Sequence, residues 1–167
     1  MTLSMYQASL PVFIRGLENL AGILKKAESH ALAKKFDPAV LINSRLAPDM
    51  FPLLRQVQIA SDGVKGCAAR LAGVDVPSYP DTETTFQELH ERITKTVNFL
   101  KSFNASQIDG TESKAISLKV GGNELKFEGQ QYLLNFVIPN FYFHITAAYA
   151  ILRHNGVDIG KKDFLGN

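Results

Sequence analysis

Four stretches of this chain repeat apolar residues at alternating spacings of four and three, the period that gathers side chains on one face of an α-helix. The first stripe is Tyr6, Leu10, Phe13, Leu17, Leu20 and Leu24; Pro11 falls inside it and predicts either a bend or a late start. The second is Leu53, Val57, Ala60, Val64, Cys67 and Leu71, with Asp49 expected as N-cap, Pro52 in the first turn and Gly73 as the stop. A linker broken by Pro77 and Pro80 follows, then a capping box expected from Thr84 and Gln87. These open the third stripe, Phe86, Leu89, Ile93, Val97 and Leu100. The fourth helix is expected from about Gln130 to Asn155, with Leu134, Ile138, Phe141, Ile145, Ala148 and Leu152 inward and Gly156 ending it. Val137, His144 and Ile151 widen its apolar face.

Between Asn104 and Gly129 the period changes to two. Ile116, Leu118 and Val120 alternate with polar residues, Gly121-Gly122-Asn123 turns the chain, and Leu125 and Phe127 alternate again. This predicts a short β-hairpin lying against the helices, since a lone hairpin is marginal in water. Ile159, Phe164 and Leu165 predict a tail that docks back. Four amphipathic helices bury their stripes by packing together, so the expected architecture is one mainly α domain spanning 1–167, a four-helix bundle with a hairpin before its last helix. The last helix carries more apolar surface than one seam needs, which predicts a central position or a face against a second copy of the chain.

Composition narrows the classes of function. Of 167 residues, 46% are apolar and 20% charged, which is ordinary for a folded domain and excludes a disordered one. The net charge is +2 and the basic residues are interleaved with acids, so no footprint for nucleic acid is expected. The single cysteine, Cys67, allows no internal disulfide and sits among apolar positions, the pattern of a buried structural thiol. No basic start leads into a long apolar run at the N-terminus, and a cytoplasmic setting is expected. Residues 129–152 carry no charge, a length that suits a bilayer crossing; Asn135, Pro139, Asn140, His144 and Thr146 argue against one.

Particular strings narrow the picture further. Arg45-Leu46-Ala47-Pro48-Asp49-Met50-Phe51-Pro52 leads into the second helix, and Asn140-Phe141-Tyr142-Phe143-His144 continues to Ala150-Ile151-Leu152-Arg153-His154-Asn155-Gly156 in the fourth. With the helix order, these strings resemble a family known only as a domain of unknown function, within the DinB/YfiT-like superfamily. The resemblance implies an up-and-down four-helix bundle, commonly dimeric. It also implies, for many superfamily members, a divalent metal held by three histidines: one from the second helix and an H-x-x-x-H pair from the fourth. Some of those members are metal-dependent thiol transferases.

This chain departs from that pattern. His144 has Asn140 four residues before it and Ala148 four after, and the second helix has no histidine. What remains is a candidate ligand pocket of His144, Asp62, Gln58, Arg55, Asn140 and Tyr149 between the second and fourth helices. Two functions follow as expectations. The first is a homodimeric bundle with a small-molecule pocket near His144, no nucleic-acid or membrane partner and no assured catalysis. The alternative is a metal-dependent transferase or hydrolase with a degenerate zinc or nickel site at His144 and Asp62.

Overall fold

The four stripes become four long helices. A computed structural model describes residues 3–166. Its elements are α1 (Leu10–Lys34), α2 (Ala39–Ile42), α3 (Leu53–Ala72), α4 (Phe86–Lys101), α5 (Ala105–Ile108), the strands β1 (Ala115–Val120) and β2 (Asn123–Glu128), then α6 (Gly129–Gln131), a π-helical stretch (Tyr132–Val137), α7 (Ile138–His154) and α8 (Lys161–Leu165). The expected helical bundle with a hairpin before its last long helix is thus present. Leu10, Phe13, Leu17, Leu20 and Leu24 of α1 are all buried. Pro11 stands in the first turn of α1, where its missing N–H costs nothing, so it marks the start and does not bend the helix. No helix among the described residues is long and apolar enough to cross a membrane.

Around the bundle the long helices follow the order α1, α4, α3, α7. The helices α3 and α7 are antiparallel: Gln56 meets His144 and Arg70 meets Tyr132. Strict alternation would also set α3 against α4 in opposite directions, but these two run the same way. Gln58 bonds Glu83 just ahead of α4, and further along Asp62 meets Arg92. Two parallel helices need a long return, and residues 73–85 supply it, lying as an extended strap between them. Glu18 of α1 pairs with Lys101 at the far end of α4, so α1 runs against both.

Local chemistry sets the boundaries. The helix α3 carries no side-chain cap; Pro52 holds the cap position and the Leu53 N–H donates to the Ser44 carbonyl at 2.9 Å, so Asp49 does not cap it. Gly73, at φ 75°, ends α3 as expected. The capping box of α4 is Thr85 with Glu88, one residue later than the Thr84–Gln87 expectation. The Glu88 carboxylate accepts both the Thr84 and Thr85 N–H groups. In the hairpin, Val120 pairs with Asn123 around Gly121 and Gly122, whose φ values of 56° and 86° suit a two-residue turn. Phe127 fixes the hairpin to the bundle through Tyr132 and Phe136, at centroid distances of 5.8 and 5.5 Å.

The last long helix differs most from its simple periodicity. Pro139 has no N–H for the Asn135 carbonyl, and its ring crowds that carbonyl in a regular α-helix. The wider π turns just before it relieve the clash and insert an offset of one residue. Leu133 and Val137 are therefore buried, while Leu134, expected inward, is 45% exposed. The tail docks as expected through Ile159 and Phe164, with Arg15 and Asn19 of α1 donating to the Leu165 and Phe164 carbonyls; the Leu165 side chain itself faces solvent.

Candidate functional site

The helix α3 has two polar flanks that serve different neighbours. Gln56, Gly63 and Arg70 are spaced by seven, so they recur on one face, and that face meets α7. Gln56 reaches His144, a Cβ at Gly63 would lie 3.4 Å from Asn140 Nδ2, and Arg70 donates to the Tyr132 hydroxyl at 3.1 Å. Burial pushes Tyr132 up to about 12, so that hydroxyl stays protonated.

The Gln56–His144 contact fixes the state of the imidazole. The Gln56 amide nitrogen donates to the Phe51 carbonyl at 3.0 Å. A carbonyl only accepts, so the amide group can turn no other way, and Gln56 Oε1 is left facing His144 Nδ1 at 2.7 Å. Nδ1 must then carry the proton, and Nε2 is left with its lone pair. Nε2 makes no hydrogen bond among the described residues, yet it is not one of the sealed, unpartnered polar atoms, which are Ser61 Oγ and Arg92 Nε. His144 as a whole is 7% exposed. Burial, with the Arg55 charge adding to it, holds the His144 pKa below the usual histidine value. The result is a neutral, oriented ring whose Nε2 lone pair makes no hydrogen bond among the described residues.

The other flank of α3 carries Arg55, Gln58, Asp62 and Lys65. These face α4 and the strap. Arg92 of α4 is only 4% exposed and pairs with Asp62 at 2.8 Å, Asp81 at 3.1 Å and Glu83 at 2.8 Å. Arg55 bonds both Gln58 and Asp81, and Gln58 bonds Glu83. Burial alone would raise Glu83; the bonds from Arg92 and Gln58 outweigh it and hold its carboxyl below the usual range. Tyr79, in the strap, has Lys65 and Lys95 over its ring at 3.9 and 4.2 Å. A cavity of about 290 Å³ opens beside it, between the strap and α4.

The expected pocket is therefore divided. His144 faces α3 and lies on the same seam as Asn140, but its partner there is Gln56. Gln58 and Asp62 project about 200° and 240° around the helix from Gln56, toward α4. Arg55 reaches His144 by its charge and Asp81 by its hydrogen bonds. Tyr149 packs its ring on Phe164 at 5.9 Å, on the side of α7 that receives the tail. Gln56 is the residue the apolar stripe concealed; its spacing of seven from Gly63 and fourteen from Arg70 is the signal that reveals it.

Residues 5–165 match the family described as Domain of unknown function (DUF1993). This chain belongs to the DUF1993 family. It is also similar to a solved structure, the crystal structure of a DinB family member protein from Shewanella denitrificans, at 44% identity and a TM-score of 0.87, over 97% of this chain and 92% of that one. No curated protein matches the chain.

For this DUF1993 chain, the metal implied by the superfamily can be tested against the donors present. Asp62 spends one oxygen on Lys65 at 2.6 Å and the other on Arg92. Gln56 Oε1 is engaged by His144 itself. Among the described residues no three His, Cys, Asp or Glu side chains come together as a metal set. Zinc or nickel at His144 and Asp62 does not fit this arrangement. Cys67 is fully buried and its thiol is pushed up to about 12, so it offers no thiolate.

A groove of about 460 Å³ runs along the outer side of α7, next to His144 in the chain. Its walls are Leu46 and Met50 on one side and Pro139, Tyr142 and Phe143 on the other, with Ala147 and Ala150 also lining it. Phe143 is 58% exposed and Phe51, close by in sequence to Met50, is 54% exposed.

Proposed function

We propose that this chain is a homodimeric helical-bundle protein that receives a small molecule in a pocket beside His144, between α3 and α7. The observation that carries the reading is the buried imidazole of His144, kept neutral by burial and oriented by Gln56, with no hydrogen bond to Nε2 among the described residues. Binding sites in bundles occur between facing helices, and an oriented polar atom within an apolar surface is their usual form.

The second copy covers the outer face of α7. That face has no charged side chain from Gly129 to Leu152, and it presents both a projecting ring, Phe143, and small residues, Ala147 and Ala150. Such a surface can meet its own copy about a two-fold axis. A stable interface needs about 1,200–2,000 Å² in total, so Leu46, Met50 and Phe51 must join α7 in it. A cytoplasmic setting suits the lone, buried Cys67.

Sedimentation velocity at micromolar protein tests the assembly. A dimer is expected, and Phe143→Asp should give a monomer with unchanged helical circular dichroism. A monomeric parent protein overturns the dimer.

A further inference from the structure

Buried polar side chains gather under the strap, away from the α3–α7 seam. Gln58 and Lys65 of α3 and Arg92 of α4 are each at most 4% exposed, and each meets a strap residue: Glu83, Tyr79 and Asp81 in turn. Ser61 is fully buried and lies about 60° around α3 from Gln58 and about 40° from Lys65, on the same flank. We propose that this α3–α4 crevice is a binding site for a small dicarboxylate, and that Asp81 and Glu83 of the strap stand in for the two carboxylates of that ligand.

Charge sets the class of ligand. Apart from the strap, Arg55, Lys65 and Arg92 share the crevice with one acid of α3, Asp62. Asp81 and Glu83 supply the two negative charges still wanting. At the rim of the neighbouring cavity Lys95 and Glu91 offset one another, and Glu88 is turned to its capping box. A dianion therefore replaces the strap acids without leaving a net charge behind.

Hydrogen bonding favours the exchange. All four oxygens of the strap acids are used: Asp81 meets Arg92 and Arg55, and Glu83 meets Arg92 and Gln58. Two sealed polar atoms on the same interface still have no partner, Ser61 Oγ and Arg92 Nε. A buried donor without an acceptor is costly. Carboxylates fixed to a backbone cannot settle further in to meet these donors, whereas a free dicarboxylate can.

The strap is built to give way. None of residues 73–85 is buried, and residues 75–83 make no backbone–backbone hydrogen bond among the described residues. What ties it down is Arg55, Gln58 and Arg92, with the cations over Tyr79. A dicarboxylate would take the first three. The cavity of about 290 Å³ between the strap and α4, with Arg92 in its wall, gives it entry.

Succinate is the probe, with acetate at matched ionic strength as the monoanion. The full-length protein, labelled with nitrogen-15 in arginine, reports the Arg92 Nε–H by NMR at neutral pH, assigned by its loss in Arg92→Lys. Succinate should shift that signal saturably, and the Tyr79 ring protons should move to solvent-exposed values as the strap leaves. Acetate at the same concentration should do neither. The double variant Asp81→Asn, Glu83→Gln should bind succinate about ten-fold more tightly, because a tethered competitor acts at high effective concentration. Equal affinity in the two proteins, or a shift that acetate reproduces, overturns the proposal. Where the double variant fails to fold, the parent protein decides alone: no saturable Arg92 shift, or one without movement of Tyr79, ends it.

Discussion

Arg92 donates to Glu83 across 2.8 Å, so a residue in the second turn of α4 holds the segment that leads into its own helix. The same guanidinium reaches Asp62 on α3. One buried cation thus joins two parallel helices and the strap between them. Removing it would leave three carboxylates facing a gap. Two of them, Asp62 and Asp81, keep about two-fifths of their side-chain surface in water, so the penalty sits at the low end for a broken buried pair. Arg92→Met should cost about 3 kcal/mol in urea unfolding, and residues 74–85 should lose hydrogen-exchange protection first.

The second prediction concerns pH. The His144 pKa is lower in the folded chain than in the unfolded one, so the unfolded chain binds more protons once the pH falls below about 6.5. Stability attached to the neutral ring is therefore complete above that pH and is lost as the pH falls through the folded value. The charge of Arg55 on α3 adds to the effect. Urea midpoints between pH 7.5 and 5 should decline in the parent protein and decline less in His144→Asn. An equal decline in both would assign the effect to other groups.

The capping box gives a third. Thr85→Ala removes the oxygen that accepts the Glu88 N–H and should cost about 1 kcal/mol. Gln87→Ala removes only an exposed bond to Glu91 and should change stability by less than about 0.5 kcal/mol. Thermal unfolding of the two variants side by side separates the register of Thr85 from that of Thr84.

The fourth tests the π-helical stretch. Leu133 is fully buried and Leu134 is not. Leu133→Ala should cost about 2–5 kcal/mol, while Leu134→Ser should stay within about 0.5 kcal/mol. A regular α-helix through this stretch would reverse the two, which chemical denaturation would reveal at once.

Much of this architecture was legible because apolar periodicity reports burial directly. The stripes of α1, α3 and α4 are buried nearly residue for residue, and the hairpin lies at Gly121-Gly122. What periodicity does not report is which neighbour a polar flank meets. Gln56 and Gln58 border the same stripe, and only the order of helices around the bundle sends one to His144 and the other to Glu83. Arg92 was hidden for a related reason. It occupies an inward position of α4, and a charge there makes sense only once the strap brings Asp81 and Glu83 beside it. Leu134 was misplaced because Pro139 changes the helix type upstream of itself, which a fixed period cannot express.

The shared direction of α3 and α4 has an electrostatic consequence. Their amino ends lie side by side at one end of the bundle, and the carboxyl ends of α1 and α7 share that end. Aligned peptide dipoles add, so this end is polarised from one half to the other, positive over α3 and α4 and negative over α1 and α7. The side chains answer in kind. Asp81, Glu83 and Glu88 gather on the first half, while Lys34, Arg153 and His154 fall in the last turns on the second. Rising ionic strength should therefore weaken these charge–dipole contacts at this end of the molecule.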